Sequence, residues 1–272
     1  MSLLDPYLMA QLALLGLCAG FLAGLLGIGG GMLMVPFISA ILSARGVAPD
    51  LAVKMAIATS MATIIFTSVS SVLSHHRRGA LRWDIVLGLT PGIVLGAALA
   101  SLGVFALLQG SWLALIFAAF VCFSATQMLL GKKPQPTRTM PGTAGQWGAG
   151  TAIGFLSGLV GAGGGFISVP FMTRCNIAIH QAVATSAALG FPIALANVLG
   201  YVLAGQDVPD LPAGSVGYIF LPALLVIASA SVLTAPLGAW AAHALPVKSL
   251  KRAFAAILYL LAAYMLHKGL SA

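Results

Sequence analysis

The chain has 272 residues, 60% of them hydrophobic and only 7% charged, with a formal net charge of +8. A soluble domain carries about 25% charged residues, so water is excluded as the main solvent of this fold. The Lys and Arg residues lie mostly in short segments between apolar runs, where they set topology and meet anionic head groups; no basic helix face or aromatic-interleaved basic patch points to nucleic acid.

In chain order, a first apolar run covers Tyr7 to Leu26 and ends in a tip, Gly27 to Gly31. The N-terminus has no positively charged n-region, so this run is read as a retained membrane helix and not a cleaved signal peptide. A short run, Met32 to Leu42, follows, then a polar loop with Arg45, Asp50 and Lys54. Long runs cover Met55 to Leu73, Ile85 to Leu108 and Trp112 to Leu130, separated by the loop from His75 to Asp84 and the turn Gln109-Gly110-Ser111. The most polar stretch, Lys132 to Gly145, reads as a cytoplasmic linker. Beyond it come Gln146 to Val160, a second tip Gly161 to Gly165, Phe166 to Met172, Ala182 to Leu203, a loop with Asp207 and Asp210, Tyr218 to Ala244, a loop with Lys248, Lys251 and Arg252, and Ala253 to Leu266. Met32 to Leu42 and Phe166 to Met172 are too short to cross a bilayer at about 1.5 Å per residue, which predicts half-helices that meet inside the membrane.

The chain repeats itself. Residues 20–38, GFLAGLLGIGGGMLMVPFI, match residues 154–172, GFLSGLVGAGGGFISVPFM, and Ala56-Ile57-Ala58-Thr59-Ser60 matches Ala182-Val183-Ala184-Thr185-Ser186. This is a duplication: residues 1–131 form a first transmembrane repeat, 132–145 the linker and 146–272 a second repeat. With Arg77, Arg78 and Arg82 placed in the cytoplasm, counting crossings puts Lys132, Lys133, Arg138, Arg174, Lys248, Lys251 and Arg252 there too, while Arg45, Lys54, Asp207, Asp210 and Lys268 fall outside. The expected fold is therefore an all-α polytopic helical bundle of about eight to ten membrane helices, built as two inverted-topology repeats with short or re-entrant helices at glycine-rich tips. Such repeats belong to secondary transporters, whose substrate sites lie near the midplane.

The candidate substrate-binding residues follow from the repeat. Gly29, Gly30 and Gly31, and Gly163, Gly164 and Gly165, open new apolar segments, where unpaired helix N–H groups and the helix dipole favour an anion. The competing reading is close helix packing, which better suits Gly16-Gly20-Gly24 and Gly150-Gly154-Gly158. Thr59, Ser60, Thr185 and Ser186 offer hydroxyls to an oxyanion, or bond within the bundle. Asn197 is an amide deep in an apolar run, either packing glue or a ligand contact. Lys54 and His180 are equivalent in the repeat, at the ends of these helices; the dipole opposes a cation there, so each reads as a plain loop residue, with a head group or a passing anion as the alternative partner. The five acidic residues stand at run ends or in loops, so a buried carboxylate relay for proton or sodium coupling is not expected. Neither metal, cofactor nor enzymatic chemistry is expected: no metal-ligand spacing or nucleophile–base pair stands out, and Cys18, Cys122 and Cys175 read as packing residues.

On GxxGxGGGxxxVPF in both halves, Gly24 to Phe37 and Gly158 to Phe171, and on the ATS segment after each, the chain resembles the sulfite exporter TauE/SafE family of membrane transporters. The resemblance implies a multi-pass carrier of the bacterial inner membrane, an exporter of a small sulfur-containing or organic anion such as sulfite, sulfoacetate or a sulfonate. It implies a small anionic substrate and membrane lipids as partners and leaves a homodimer open. An anion channel and a non-transporting membrane partner of a sulfur-metabolism enzyme are the alternatives.

Overall fold

The computed structural model describes residues 6–26, 30–77, 79–130, 139–244 and 247–271. The first half contains α1 (Pro6–Leu26), α2 (Gly31–Ala44), α3 (Pro49–His76), α4 (Trp83–Leu107, π-helical over Leu99–Val104) and α5 (Gly110–Leu130). The second contains α6 (Thr143–Val160), α7 (Gly165–Arg174), α8 (Ile179–Ala204), α9 (Leu221–Ala244) and α10 (Val247–Leu270). A two-stranded antiparallel turn, β1 (Ser215–Val216) with β2 (Ile219–Phe220), precedes α9. Among the described residues, six helices (α1, α3, α4, α5, α8 and α9) are long and apolar enough to cross a membrane. Large apolar side chains such as Leu14, Leu87, Leu225, Leu233 and Leu260 point outward, as lipid-facing residues do, while Trp83, Trp112, Trp147 and Trp240 are exposed near helix ends, where indoles sit at the head-group level.

The two arms expected to be short are short: α2 has 14 residues and α7 has 10. Pro36 and Pro170 lie inside them, where each removes one backbone donor without ending the helix. Three helix starts fall inside stretches expected to be loop or linker. Helix α3 starts at Pro49, so Asp50 and Lys54 are helical and not in a loop; proline at the first helical position costs no hydrogen bond, and Asp50 in the first turn suits the dipole. Helix α10 starts at Val247, so Lys248 to Arg252 form helix, as straight-chain basic residues readily do. Helix α6 begins at Thr143, inside the stretch read as linker, whose residues 132–138 lie outside the described ones.

Residue contacts fix the orientation of the halves. Asp50 Oδ1 accepts from the Ser111 amide, Lys54 Nζ donates to Ala106 O, and Lys268 Nζ donates to Ser39 and Ser43. One face of the bundle therefore gathers the starts of α3 and α5 and the ends of α2, α4 and α10. Tyr218, before α9, lies beside Gly205 at the end of α8 and below the Lys54 ammonium, so α9 also starts on this face. Gly16, Gly20 and Gly24 press in turn against Ile227, Ser231 and Ala235, so α1 runs parallel to α9 and starts there too. On the opposite face the Arg82 amide donates to Thr185 Oγ1, joining the starts of α4 and α8. Gly92 and Gly96 press against Trp147 and Thr151, so α6 runs parallel to α4 and starts on this opposite face. The equivalent helices α1 and α6 thus begin on opposite faces, and the repeats are inverted. Arg77, Arg82, Arg174 and the first turns of α10, with Lys248, Lys251 and Arg252, share the second face; Asp207 and Asp210 are on the first.

Candidate functional site

Gly30 and Gly31 of the first tip, and the second tip from Gly161 to Gly165, are buried in the interior. Gly30 (φ 72°) and Gly164 (φ 76°) occupy the N-cap positions of α2 and α7 in the left-handed region, which glycine adopts without a Cβ penalty. Leu33 N and Met34 N donate to Gly30 O, and Ile167 N and Ser168 N donate to Gly164 O. The first amides of α2 and α7, before these, have no partner within their own helix. Gly31 meets the other half: a Cβ there would lie 2.0 Å from Gly161 O and 3.0 Å from Ser60 Oγ. Ser60 Oγ lies 3.1 Å from Gly161 O and 3.4 Å from Gly31 O, so one hydroxyl links the start of α2 to the C-terminal residue that follows α6. Gly29 lies outside the described residues.

The hydroxyl pairs divide. Thr59 Oγ1 accepts from Phe220 N, just before α9, and Thr185 Oγ1 accepts from Arg82 N, just before α4. Each threonine thus holds the chain entering the fourth helix of the other half, a reciprocal exchange that follows from the inverted repeat. Ser186 Oγ accepts from Ser168 Oγ at 2.8 Å and lines a cleft with Ala23, Thr67, Ser68, Ser71, Gly163, Ala187 and Gly190. The cleft has room for about one water molecule in this conformation. Gly165 is the first residue of α7. Asn197 stands apart: Nδ2 donates to Ile193 O, and Oδ1, pressed against Gly158, has no hydrogen-bond partner among the described residues. Of the sequence-picked residues, the structure brings Gly31 together with Ser60 and Gly163 together with Ser186. Thr59 and Thr185 lie at separate inter-half joints.

Sequence reasoning did not single out Gly161, Ser168, Thr67, Ser68 or Ser71. The last three had a legible signal, a run of hydroxyls along α3, but nothing local said which way they face. Lys54 is half-buried, its ammonium above the rings of Phe105 and Tyr218 at 5.7 and 5.5 Å. It is thus packed inside the bundle and is not a loop residue. Among the described residues no group of three His, Cys, Asp or Glu side chains is placed to hold a metal.

The family model for the sulfite exporter TauE/SafE family matches residues 12–265. A probable membrane transporter protein of Haemophilus influenzae is 39% identical over 94% of this chain and 97% of its own length. The probable membrane transporter protein MJ0441 of Methanocaldococcus jannaschii is 25% identical over 95% of this chain and 96% of its own length. The probable membrane transporter protein YunE of Bacillus subtilis is 29% identical over 72% and 78%. No solved structure matches. With inverted halves, apolar spanning helices and a match over nearly its whole length, the chain belongs to the sulfite exporter TauE/SafE family and is a multi-pass membrane transporter.

Proposed function

We propose that the protein exports a small sulfur-containing or organic anion, of the sulfite, sulfoacetate or sulfonate class, across the bacterial inner membrane by alternating access between its inverted halves. The observation that carries this reading is the meeting of the first glycine tip with the other half through Ser60, which puts the start of a half-helix inside the bundle. Half-helix N-termini offer amide donors and a partial positive charge to an oxyanion without a buried cation. The residues proposed to line the path are Gly29, Gly30, Gly31, Thr59, Ser60, Gly163, Gly164, Gly165, Thr185, Ser186 and Asn197. The family's description as a sulfite exporter supports a sulfur oxyanion as substrate and an outward direction.

The energetics suit export. An inside-negative potential drives each negative charge outward with about 2.3 kcal/mol per 100 mV, so an anion carrier needs no carboxylate relay. Four of the five acidic residues, Asp50, Asp84, Asp207 and Asp210, stand in first turns or in the loop before α9. The test is thermal unfolding of the purified protein with sulfite, sulfate, thiosulfate, sulfoacetate, taurine and carboxylates. A ligand of the native state raises apparent stability by mass action. A saturating rise with at least one sulfur oxyanion is expected; no rise with any of the panel contradicts the reading.

A further inference from the structure

One face of α3 carries a polar row that its partner helix lacks. Thr59, Thr63, Thr67 and Ser71 recur every fourth residue, so each stands over the next in a row that winds about 40° per step around α3, and all are buried, at 0, 0, 0 and 2% exposure. His75, also buried, continues the row. Thr63 Oγ1 donates to Thr59 O and Thr67 Oγ1 to Thr63 O. In the register that pairs 56–60 with 182–186, the same positions on α8 are Thr185, Leu189, Ile193, Asn197 and Tyr201. The middle of the row is thus apolar on α8 and hydroxylated only on α3.

Self-satisfied threonines are common inside membrane helices and need no ligand. Ser71 breaks that pattern. Its Oγ has no hydrogen-bond partner among the described residues, and a buried hydroxyl left without one is costly. It lines the cleft that Thr67, Ser68, Gly163 and Ser186 also line, where small residues on α8, Ala187 and Gly190, leave space. From Thr59 to Ser71 the row rises about 18 Å, more than half of a hydrocarbon core of about 30 Å. Hydroxyls rotate to donate and carry no fixed charge, so they can pass an oxyanion along without trapping it.

We propose that the anion path is one-sided: it runs along the Thr59–Thr63–Thr67–Ser71 face of α3, and the cleft at Ser71 is its oxyanion-binding station on the basic face of the protein. This rests on the carrier reading above and narrows its site: of the residues named there, Thr59 lies on the row and Gly163 and Ser186 line its cleft, while Thr185 and Asn197 lie off it. Because the cleft is narrow here, α3 and α8 separate at Ser71 and Gly190 when the station fills.

Substituted cysteines test the path without knowledge of the substrate. Cys18, Cys122 and Cys175 are replaced by alanine, single cysteines are introduced, and labelling by the anionic 2-sulfonatoethyl methanethiosulfonate is timed in reconstituted vesicles. Thr63→Cys, Thr67→Cys and Ser71→Cys are expected to label about tenfold faster than Ala58→Cys and Met61→Cys on the opposite side of α3 and Leu189→Cys and Ile193→Cys on α8, since thiol reactivity follows exposure to water and reagent. Equal rates on and off the row, or equal rates on α3 and α8, overturn the proposal. Ser68→Cys reports on the cleft if Ser71→Cys does not elute as a folded species. Anion flux without row labelling refutes the path alone, whereas row labelling in a protein that moves none of the sulfur oxyanions refutes the carrier reading alone.

Discussion

Thr59 shows how a hydroxyl is assigned at the scale of a residue. Its sequence neighbourhood marks it as a short polar group in an apolar helix and leaves two readings standing. The fold supplies a partner 161 positions away, the Phe220 amide at 3.0 Å. Removing the hydroxyl while keeping the shape, as in Thr59→Val, leaves that buried amide unpaired, at a cost of about 1–3 kcal/mol. Thermal unfolding in detergent should show the loss for Thr59→Val and little of it for Thr59→Ser; identical stability of Thr59→Val and the native chain would contradict the joint. Gly31 was legible for a different reason. Three consecutive glycines before an apolar segment already say that backbone must come close to something, although not that the something is the Gly161 carbonyl.

Helix α2 is the element whose placement matters most, because it carries the first tip. At its far end Ser39 Oγ and Ser43 Oγ each lie 2.6 Å from Lys268 Nζ, and Ser39 O lies at 3.1 Å. A buried ammonium at a helix C-terminus meets the negative end of the dipole and uses all three of its donors. Hydrogen bonds to a charged group contribute about 1.5–3 kcal/mol, so Lys268→Met should lower the unfolding midpoint in chemical denaturation accordingly; an unchanged midpoint would contradict the clasp. Sequence placed Lys268 on the outer side but not against α2, since the two meet only through the packing of the last helix on the first hairpin. The short arms themselves were readable from run length, Met32 to Leu42 against the observed Gly31–Ala44 and Phe166 to Met172 against Gly165–Arg174. Helix starts in charged stretches, Pro49 and Val247, were not, because hydropathy marks where lipid begins and not where helical hydrogen bonding begins.

For the whole molecule, the duplication and the distribution of basic residues were enough to infer opposite orientation of the halves, and the parallel pairs α1 with α9 and α4 with α6 give that orientation its geometry. What the duplication hides is asymmetry: matched halves suggest matched sites, yet the hydroxyl row belongs to α3 alone, and the cleft it borders lies between α3 and α8. The claim on which the account turns is that these inverted halves carry an oxyanion, and the most direct measurement is flux. Purified protein in vesicles loaded with radiolabelled sulfite, with an inside-negative potential set by a potassium gradient, should release the label at a saturable rate that rises with the potential. Gly31→Leu, which drives a side chain into the Gly161 carbonyl, should abolish that release while the protein still inserts. Release no faster than from protein-free vesicles, for sulfite and for every other sulfur oxyanion of the panel, would contradict the account.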